Sequence, residues 1–331
     1  MAAPKKKKKT LKSKLETAEN PELIRARGEI QRLKDETASL RRIMGALDRS
    51  NWSEPRTLPS TKKVPVGKKK SFLRVVLSDS HGSYLDREIW KHVYTDICSL
   101  QPSSIVLLGD HVDCSGFLSR HHTLGFLSEG TYSYEEDISA ANGFLDDIQK
   151  ACPGAEIHYL EGNHEDRIER WVMTVVNRSQ QDAEFLRKQV SPEYLLELEK
   201  RGIKYYRRGV FHMGFQVGGL IKLGKCLFAH EGSRGQNAAM KMLNIYATNI
   251  VFGHTHRQDS AVTYKPGVGQ ISAHNPGCLR NRQPTWYDKV PTGWSQGYAV
   301  QLVRADGSFL HVNVPVDEGG SLLASFTDKL R

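Results

Sequence analysis

The chain has few of the features that mark secreted or membrane-embedded proteins. Five cysteines in 331 residues (Cys98, Cys114, Cys152, Cys226 and Cys278) are an odd number at scattered spacing, with no Cys-x-x-Cys pair. That excludes a disulfide framework or a zinc ribbon and points to free thiols in a reducing compartment. No stretch reaches the roughly 18 apolar residues of a membrane helix, so no membrane partner is expected. The lysines at 5–9 have no apolar segment behind them, which does not read as a secretory leader. A cytoplasmic location is the expectation. With 39% hydrophobic and 25% charged residues, the composition is that of a globular protein long enough to bury a sizeable core.

Charge is unevenly placed. The net charge of +10 resides in an N-terminal arm, since residues 1–70 hold 20 Lys and Arg against 8 Asp and Glu. Residues 71–331 hold 27 against 29. Residues 1–19 read as a basic, disordered tail. Over residues 20–49 a helical period emerges, with Leu23, Ala26, Ile30, Leu33, Thr37, Leu40, Met44 and Leu47 on one seam. Glu29 and Glu36, with Lys34 and Arg41, suit pairing across a parallel coiled coil. A single amphipathic helix packed on its own domain satisfies the same pattern, because Gly28 and Thr37 weaken the seam. Residues 50–70, with Pro55, Pro59, Pro65 and Gly67, read as a linker.

Residues 71–316 read as one α/β domain. Apolar runs at Phe72–Leu77, Ile105–Leu108 and Ile157–Leu160 alternate with helical stretches at 85–100 and 135–150. A helical region over 165–201, broken near Pro192, leads to short strand-like runs from 205 onward, including Cys226–Ala229 and Asn249–Phe252. Residues 317–331 are expected to be a polar tail.

Five polar clusters directly follow five of these runs: Asp79-Ser-His81, Gly109-Asp110-His-Val-Asp113, Gly162-Asn163-His164-Glu165, His230-Glu-Gly232 and Gly253-His254-Thr-His256. Strands that release polar groups at their C-terminal ends direct them into one crevice. In extended chain, residues i and i+2 face the same side, so Asp79 with His81, and His254 with His256, can serve one metal or two adjacent ones. Carboxylate, imidazole and amide oxygen suit Mn²⁺, Fe or Zn, and the absence of cysteine argues against a structural zinc site. Two cations need a shared anionic bridge, which Asp110 is placed to supply. Glycines ahead of the ligands suggest tight backbone turns.

The order D-x-H, G-D-x-x-D, G-N-H-E, H and G-H-x-H resembles the calcineurin-like metallophosphoesterase superfamily, across roughly residues 71–280. The resemblance implies a layered sandwich of two mixed β-sheets flanked by helices, preceded here by the N-terminal helix and basic tail. It implies two divalent metal ions, one held by Asp79, His81, Asp110 and His256, the other by Asp110, Asn163, His230 and His254. His164 is implied to touch substrate, with Asp113 orienting it, and Asn275-Pro-Gly277 resembles a turn that follows the last motif. The implied activity is hydrolysis of a phosphate ester, in which a metal-bridging hydroxide attacks phosphorus and His164 assists the leaving group.

Arg167 can add a phosphate contact or lie solvated on a helix. Arg280 and Arg282 follow the site in sequence and can line it, but solvated charges are the expectation. His121, His122, Trp286 and Trp294 read as ordinary loop or core residues, with a substrate contact as the alternative. The basic arm favours nucleic-acid or nucleotide phosphodiesters as substrates, hence a nuclease, although no aromatic residue interleaves its lysines. A serine/threonine-type protein phosphatase is the second reading. Against it, Asp113-Cys-Ser115 stands where those enzymes have Asp-Arg-Gly, and Glu161 where they have Arg. A non-catalytic metal-binding scaffold is the third; it predicts eroded ligands, and all seven are present. A homo-oligomer through residues 21–49 would follow from the coiled coil.

Overall fold

The computed structural model describes residues 25–32, 34, 71–117, 132–176, 180–209, 211–212, 215–216, 219–233, 235–282, 292–321 and 323. The chain divides into two units, Met1–Pro55 and Arg56–Arg331. In the first, residues 25–32 and 34 are helical; there Glu29, expected to pair across a coiled coil, bonds Arg32 one turn away at 2.6 Å. The remainder of the expected tail, helix and linker lies outside the described residues.

The second unit is an α/β sandwich. Its strands are β1 (Ser71–Leu77), β2 (Ser104–Leu107), β3 (Glu156–Leu160), β4 (Lys204–Tyr206), β5 (Phe211–His212), β6 (Phe215–Gln216), β7 (Leu220–Leu223), β8 (Cys226–Ala229), β9 (Ile250–Phe252), β10 (Gln258–Lys265), β11 (Gly269–Pro276), β12 (Gly297–Arg304), β13 (Phe309–Asp317) and β14 (Gly320–Ser321). One sheet runs β14-β13-β12-β1-β2-β3-β4 and the other β10-β11-β9-β8-β7. β1 to β4 are mutually parallel, as are β8, β9 and β11, while β12, β7 and β10 join antiparallel. Both sheets are therefore mixed, as the motif resemblance implies.

Burial explains the strand sequences. β1, β2 and β3 are covered on both faces and read as unbroken apolar runs, with Val75, Val76, Ile105, Val106 and Leu160 fully buried. Val76, Val106, Leu160 and Ala299 of the first sheet meet Phe228 and Val251 of the second in one core. The helices are α1 (Arg87–Leu100), α2 (Tyr134–Ala151), α3 (Asp166–Val175), α4 (Gln180–Val190), α5 (Pro192–Leu195) and α6 (Ala238–Tyr246). α1 starts on Asp86, whose carboxylate accepts from Ile89 N, and α2 on Ser133, whose hydroxyl accepts from Glu136 N; both satisfy an otherwise orphaned first-turn donor. α1 and α2 meet through Trp90 and Phe144, ring centres 4.6 Å apart. α6 packs Met242 and Leu243 on Phe252 and Ile271 of the second sheet.

The sheet runs past the boundary expected at residue 316. β13 continues to Asp317, and Gly320–Ser321 pair back on it. The Asp317 carboxylate accepts from Gly319 N at 2.8 Å, closing a turn that a polar composition alone does not separate from a tail. Among the described residues no helix is long and apolar enough to cross a membrane.

Candidate metal centre

The five polar clusters leave the C-terminal ends of β1, β2 and β3 in one sheet and β8 and β9 in the other. They converge at a common edge and bond to one another. Asp79 N donates to Gly109 O at 3.1 Å and His81 N to Asp110 O at 2.9 Å. Two bonds cross between the sheets: His254 N to Asp79 Oδ2 at 3.0 Å, and His230 Nδ1 to Leu108 O at 2.9 Å.

The backbone here is not extended. Asp79, His81, Asp110, His254 and His256 have φ of 52°, 53°, 53°, 71° and 56°. Left-handed turns, and not the two-residue pleat expected from sequence, fold these side chains back over the strand ends. Such conformations are uncommon for residues with a Cβ, though Asp and His adopt them more readily than most. Each costs about 1–3 kcal/mol and persists only where the surroundings impose it. Of the glycines ahead of the ligands, Gly109 does adopt a positive φ (107°). Gly162 is needed for another reason: a Cβ there would stand 2.1 Å from Asp110 Oδ1.

Two groups of donors result, each with all its ligand atoms within 4.8 Å of one another. In the first, His256 Nε2 lies 3.1 Å from both Asp79 Oδ1 and His81 Nε2. In the second, with His254 completing the group, His230 Nε2 lies 3.1 Å from both Asp110 Oδ2 and Asn163 Oδ1. Asp110 also groups with His81 and His164, which places it between the two. All seven expected ligands are thus brought together.

The outward bonds decide which nitrogens are bare. His81 Nδ1 donates to Asp113 Oδ1 at 2.6 Å, so its Nε2 offers a lone pair inward. Burial, with Arg280 and His164 nearby, holds His81 well below the usual imidazole pKa, so it is neutral. His230 Nδ1 is likewise spent on Leu108 O, and its Nε2 faces two oxygen acceptors, Asp110 Oδ2 and Asn163 Oδ1, toward which it holds a proton until a cation takes that place. Asp79 Oδ2 accepts from His254 N and Ser78 Oγ, while its buried Oδ1 accepts no hydrogen bond. Burial opposes ionisation of Asp79 and Asp110, yet His256 holds the first carboxyl down, and His230 and His164 hold the second down. Acceptors converging on acceptors in a buried crevice fit a cation in each group.

His164 and Asp113 are in contact, but not as a simple carboxylate–imidazole pair. His164 Nδ1 donates to the backbone oxygen of Asp113 at 2.6 Å, and the Asp113 carboxylate is 3.4 Å away. That carboxylate makes its short bond to His81. The charges of Asp110 and Asp113 raise the His164 pKa against burial. Arg167 is turned into the site: its guanidinium donates to Asp113 O at 3.2 Å and to His164 Nε2 at 3.0 Å.

The expectation that Arg280 is solvated fails. It is 3% exposed and packed between Tyr84 and Trp294. Trp294 itself lies against His256, ring centres 4.4 Å apart. Arg282 is exposed as expected, and His121, His122 and Trp286 lie outside the described residues. Sequence reasoning gave Glu165 and Asp137 no role. Glu165 is fully buried and accepts from Asp110 N, His111 N, Val112 N, Gly162 N and the Tyr159 hydroxyl, all at 2.7–3.1 Å. Asp137 of α2 accepts from Ser83 N, Asp113 N, Cys114 N and the Tyr132 hydroxyl. Burial, then the Asp113 charge, pushes it up to about 7. These two carboxylates tie down the loops that carry Asp110 and Asp113. For Glu165 the only signal was an acid in the motif with no cation a turn away; Asp137 had none.

Replacing Glu165 by Gln leaves one oxygen to serve five donors and turns an NH₂ toward backbone N–H groups. The metal-free protein should lose about 3 kcal/mol of stability by urea unfolding; a loss below about 1 kcal/mol would show that the loop holds itself. A second expectation concerns protons. Burial opposes it, but Asp110 raises His230 to about 9 in the metal-free site, so a cation must displace a proton below that pH. Mn²⁺ affinity should therefore rise with pH, about tenfold per unit from pH 7 toward 9. Calorimetry in two buffers of different ionisation enthalpy should register about one proton released per protein at pH 7. No release would remove His230 from the ligand set.

No family profile and no curated protein sequence matches the chain. Solved structures similar in fold include Vacuolar Protein Sorting 29 from Cryptosporidium parvum, 11% identical over 76% of this chain and 95% of that one, with a TM-score of 0.40. A metallophosphoesterase from Sphaerobacter thermophilus is 17% identical over 73% of this chain and 88% of its own, with a TM-score of 0.36. Yfce, a phosphoesterase from E. coli, is 17% identical over 73% of this chain and 98% of its own, with a TM-score of 0.30. In the order of its motifs, the two mixed sheets that carry them and the side chains they bring together, the chain resembles the calcineurin-like metallophosphoesterase superfamily.

Proposed function

We propose that the chain hydrolyses phosphate esters with two divalent cations, Mn²⁺ first and Fe or Zn as alternatives. One group would be held by Asp79, His81 and His256, the other by Asn163, His230 and His254, with Asp110 shared. What carries this reading is the convergence of buried imidazole nitrogens and carboxylate oxygens, with the Nδ1 protons of His81 and His230 already committed to Asp113 and to Leu108 O. When bound, such cations supply charge neutralisation on the phosphate oxygens and a water acidified from about 15.7 toward 7.

The remaining chemistry belongs to the side chains. His164 is fixed by Asp113 O through Nδ1, which leaves Nε2 as the atom that would donate a proton to the leaving oxygen. Arg167 occupies Nε2 in the free site, so a proton and the guanidinium compete for it. Substrate entry would turn Arg167 to a phosphate oxygen and free Nε2 for protonation, which the carboxylates of Asp110 and Asp113 favour. The protein-phosphatase reading loses further ground, because Cys114 and Glu161, at the two positions where arginines would be needed, are buried and Glu161 is bonded to Tyr205 and Arg208 N.

The finer reading, a phosphodiesterase acting on nucleic acid or nucleotides, rests on the basic residues 1–70. Mn²⁺-loaded protein should cleave bis-p-nitrophenyl phosphate, and Asp110→Asn should lower kcat by about 100- to 1000-fold or more; equal activity in the variant would end the two-cation reading. Removing residues 1–70 should weaken binding to DNA and flatten its dependence on salt. Unchanged affinity and slope would discard the arm as a nucleic-acid contact.

A further inference from the structure

We propose that Arg280 is a substrate-binding residue whose guanidinium takes an anionic oxygen of the ester held at the metal centre. This rests on the phosphoesterase reading. Arg280 follows the Asn275-Pro-Gly277 turn and is pinned by its backbone, N to Asp79 O at 3.1 Å and O to Gln296 Nε2 at 3.0 Å. Its guanidinium carbon lies 5.0 Å from the Tyr84 ring centre and 5.2 Å from that of Trp294. Two aromatic faces thus fix the plane of the cation, while along its in-plane edge Nη1 donates one long bond, 3.5 Å, to Asp113 Oδ1.

Those donors are poorly served by the protein. Nε makes no hydrogen bond although it is buried. The nearest carboxylate oxygen, Asp113 Oδ1, is 3.5 Å from Nη1 and is already committed to His81 at 2.6 Å. Arg201 shows what a buried guanidinium ordinarily requires. Exposed by only 2%, it donates to Leu196 O, Gln149, Asn142 and Asp146. Among the described residues Arg280, exposed by 3%, has a single acceptor for its guanidinium, Asp113 Oδ1 at 3.5 Å. A buried cation with an unpartnered Nε and one long Nη1 bond beside a candidate metal centre matches a tetrahedral oxyanion, which guanidinium binds by two parallel N–H bonds. The alternative is that Arg280 only keeps Asp113 ionised and in place.

Inorganic phosphate is the probe, titrated into the full chain with and without Mn²⁺. Arg280→Met should weaken phosphate binding about 10- to 100-fold while Mn²⁺ stoichiometry and affinity stay within about threefold. Phosphate affinity equal to wild type would overturn the proposal, as would wild-type protein that binds no phosphate in either form. If the Met variant does not fold, Arg280→Lys decides, since it keeps a charge beside Asp113 and loses the fork. Weakening of fivefold or more then supports the contact, and wild-type binding refutes it. Absence of Mn²⁺ binding would instead sink the phosphoesterase reading, and the metal-free titration would still judge Arg280.

Discussion

Two carboxylates and four imidazoles crowd the strand ends of this protein, and the Nδ1 protons of two of those imidazoles point outward. His81 gives its N–H to Asp113 and His230 gives its own to a backbone carbonyl, while Asp79 Oδ1 receives nothing. Burying acceptors against acceptors is costly unless positive charge enters. Most of the surrounding architecture serves to keep those groups together in spite of that cost.

It does so in successive shells. The strands set the approximate place, and five left-handed residues set the aim. Glu165 and Asp137 then gather nine donors between them, seven of them backbone N–H groups, and fix the loops that strands alone would leave loose. Buried acids used this way are structural, and their removal should act on the metal centre through position and not through charge on the cation. Asp113 connects the shells, since its carboxylate orients His81 and its carbonyl orients His164.

The candidate metal centre was legible in the sequence because each motif follows an apolar run, and the end of a buried parallel strand has one direction to face. The sandwich was legible from the motifs' resemblance to a known family, and its alternation of strands and helices from hydrophobic patterning. What was not legible depends on contacts between distant segments. Asp137 lies 24 residues from Asp113 on a helix whose polar face gives no hint of a buried acid. Arg280 read as solvated because its partners are two aromatic rings, Tyr84 and Trp294, that sequence spacing does not bring to it. The pleat argument for Asp79 and His81 placed the right residues together by the wrong local geometry, since positive φ leaves no periodic trace at a non-glycine residue. The strand at Gly320–Ser321 was hidden in polar composition.

The first donor group and Asp110 do not all come from one layer. Asp79, His81 and Asp110 leave one sheet, and His230, His254 and His256 leave the other, so each group contains side chains from both. Any cation gripped by such a set is also a clasp between the two halves of the sandwich. Loading the centre would then make separation of the layers, and with it global unfolding, depend on the free concentration of that ion.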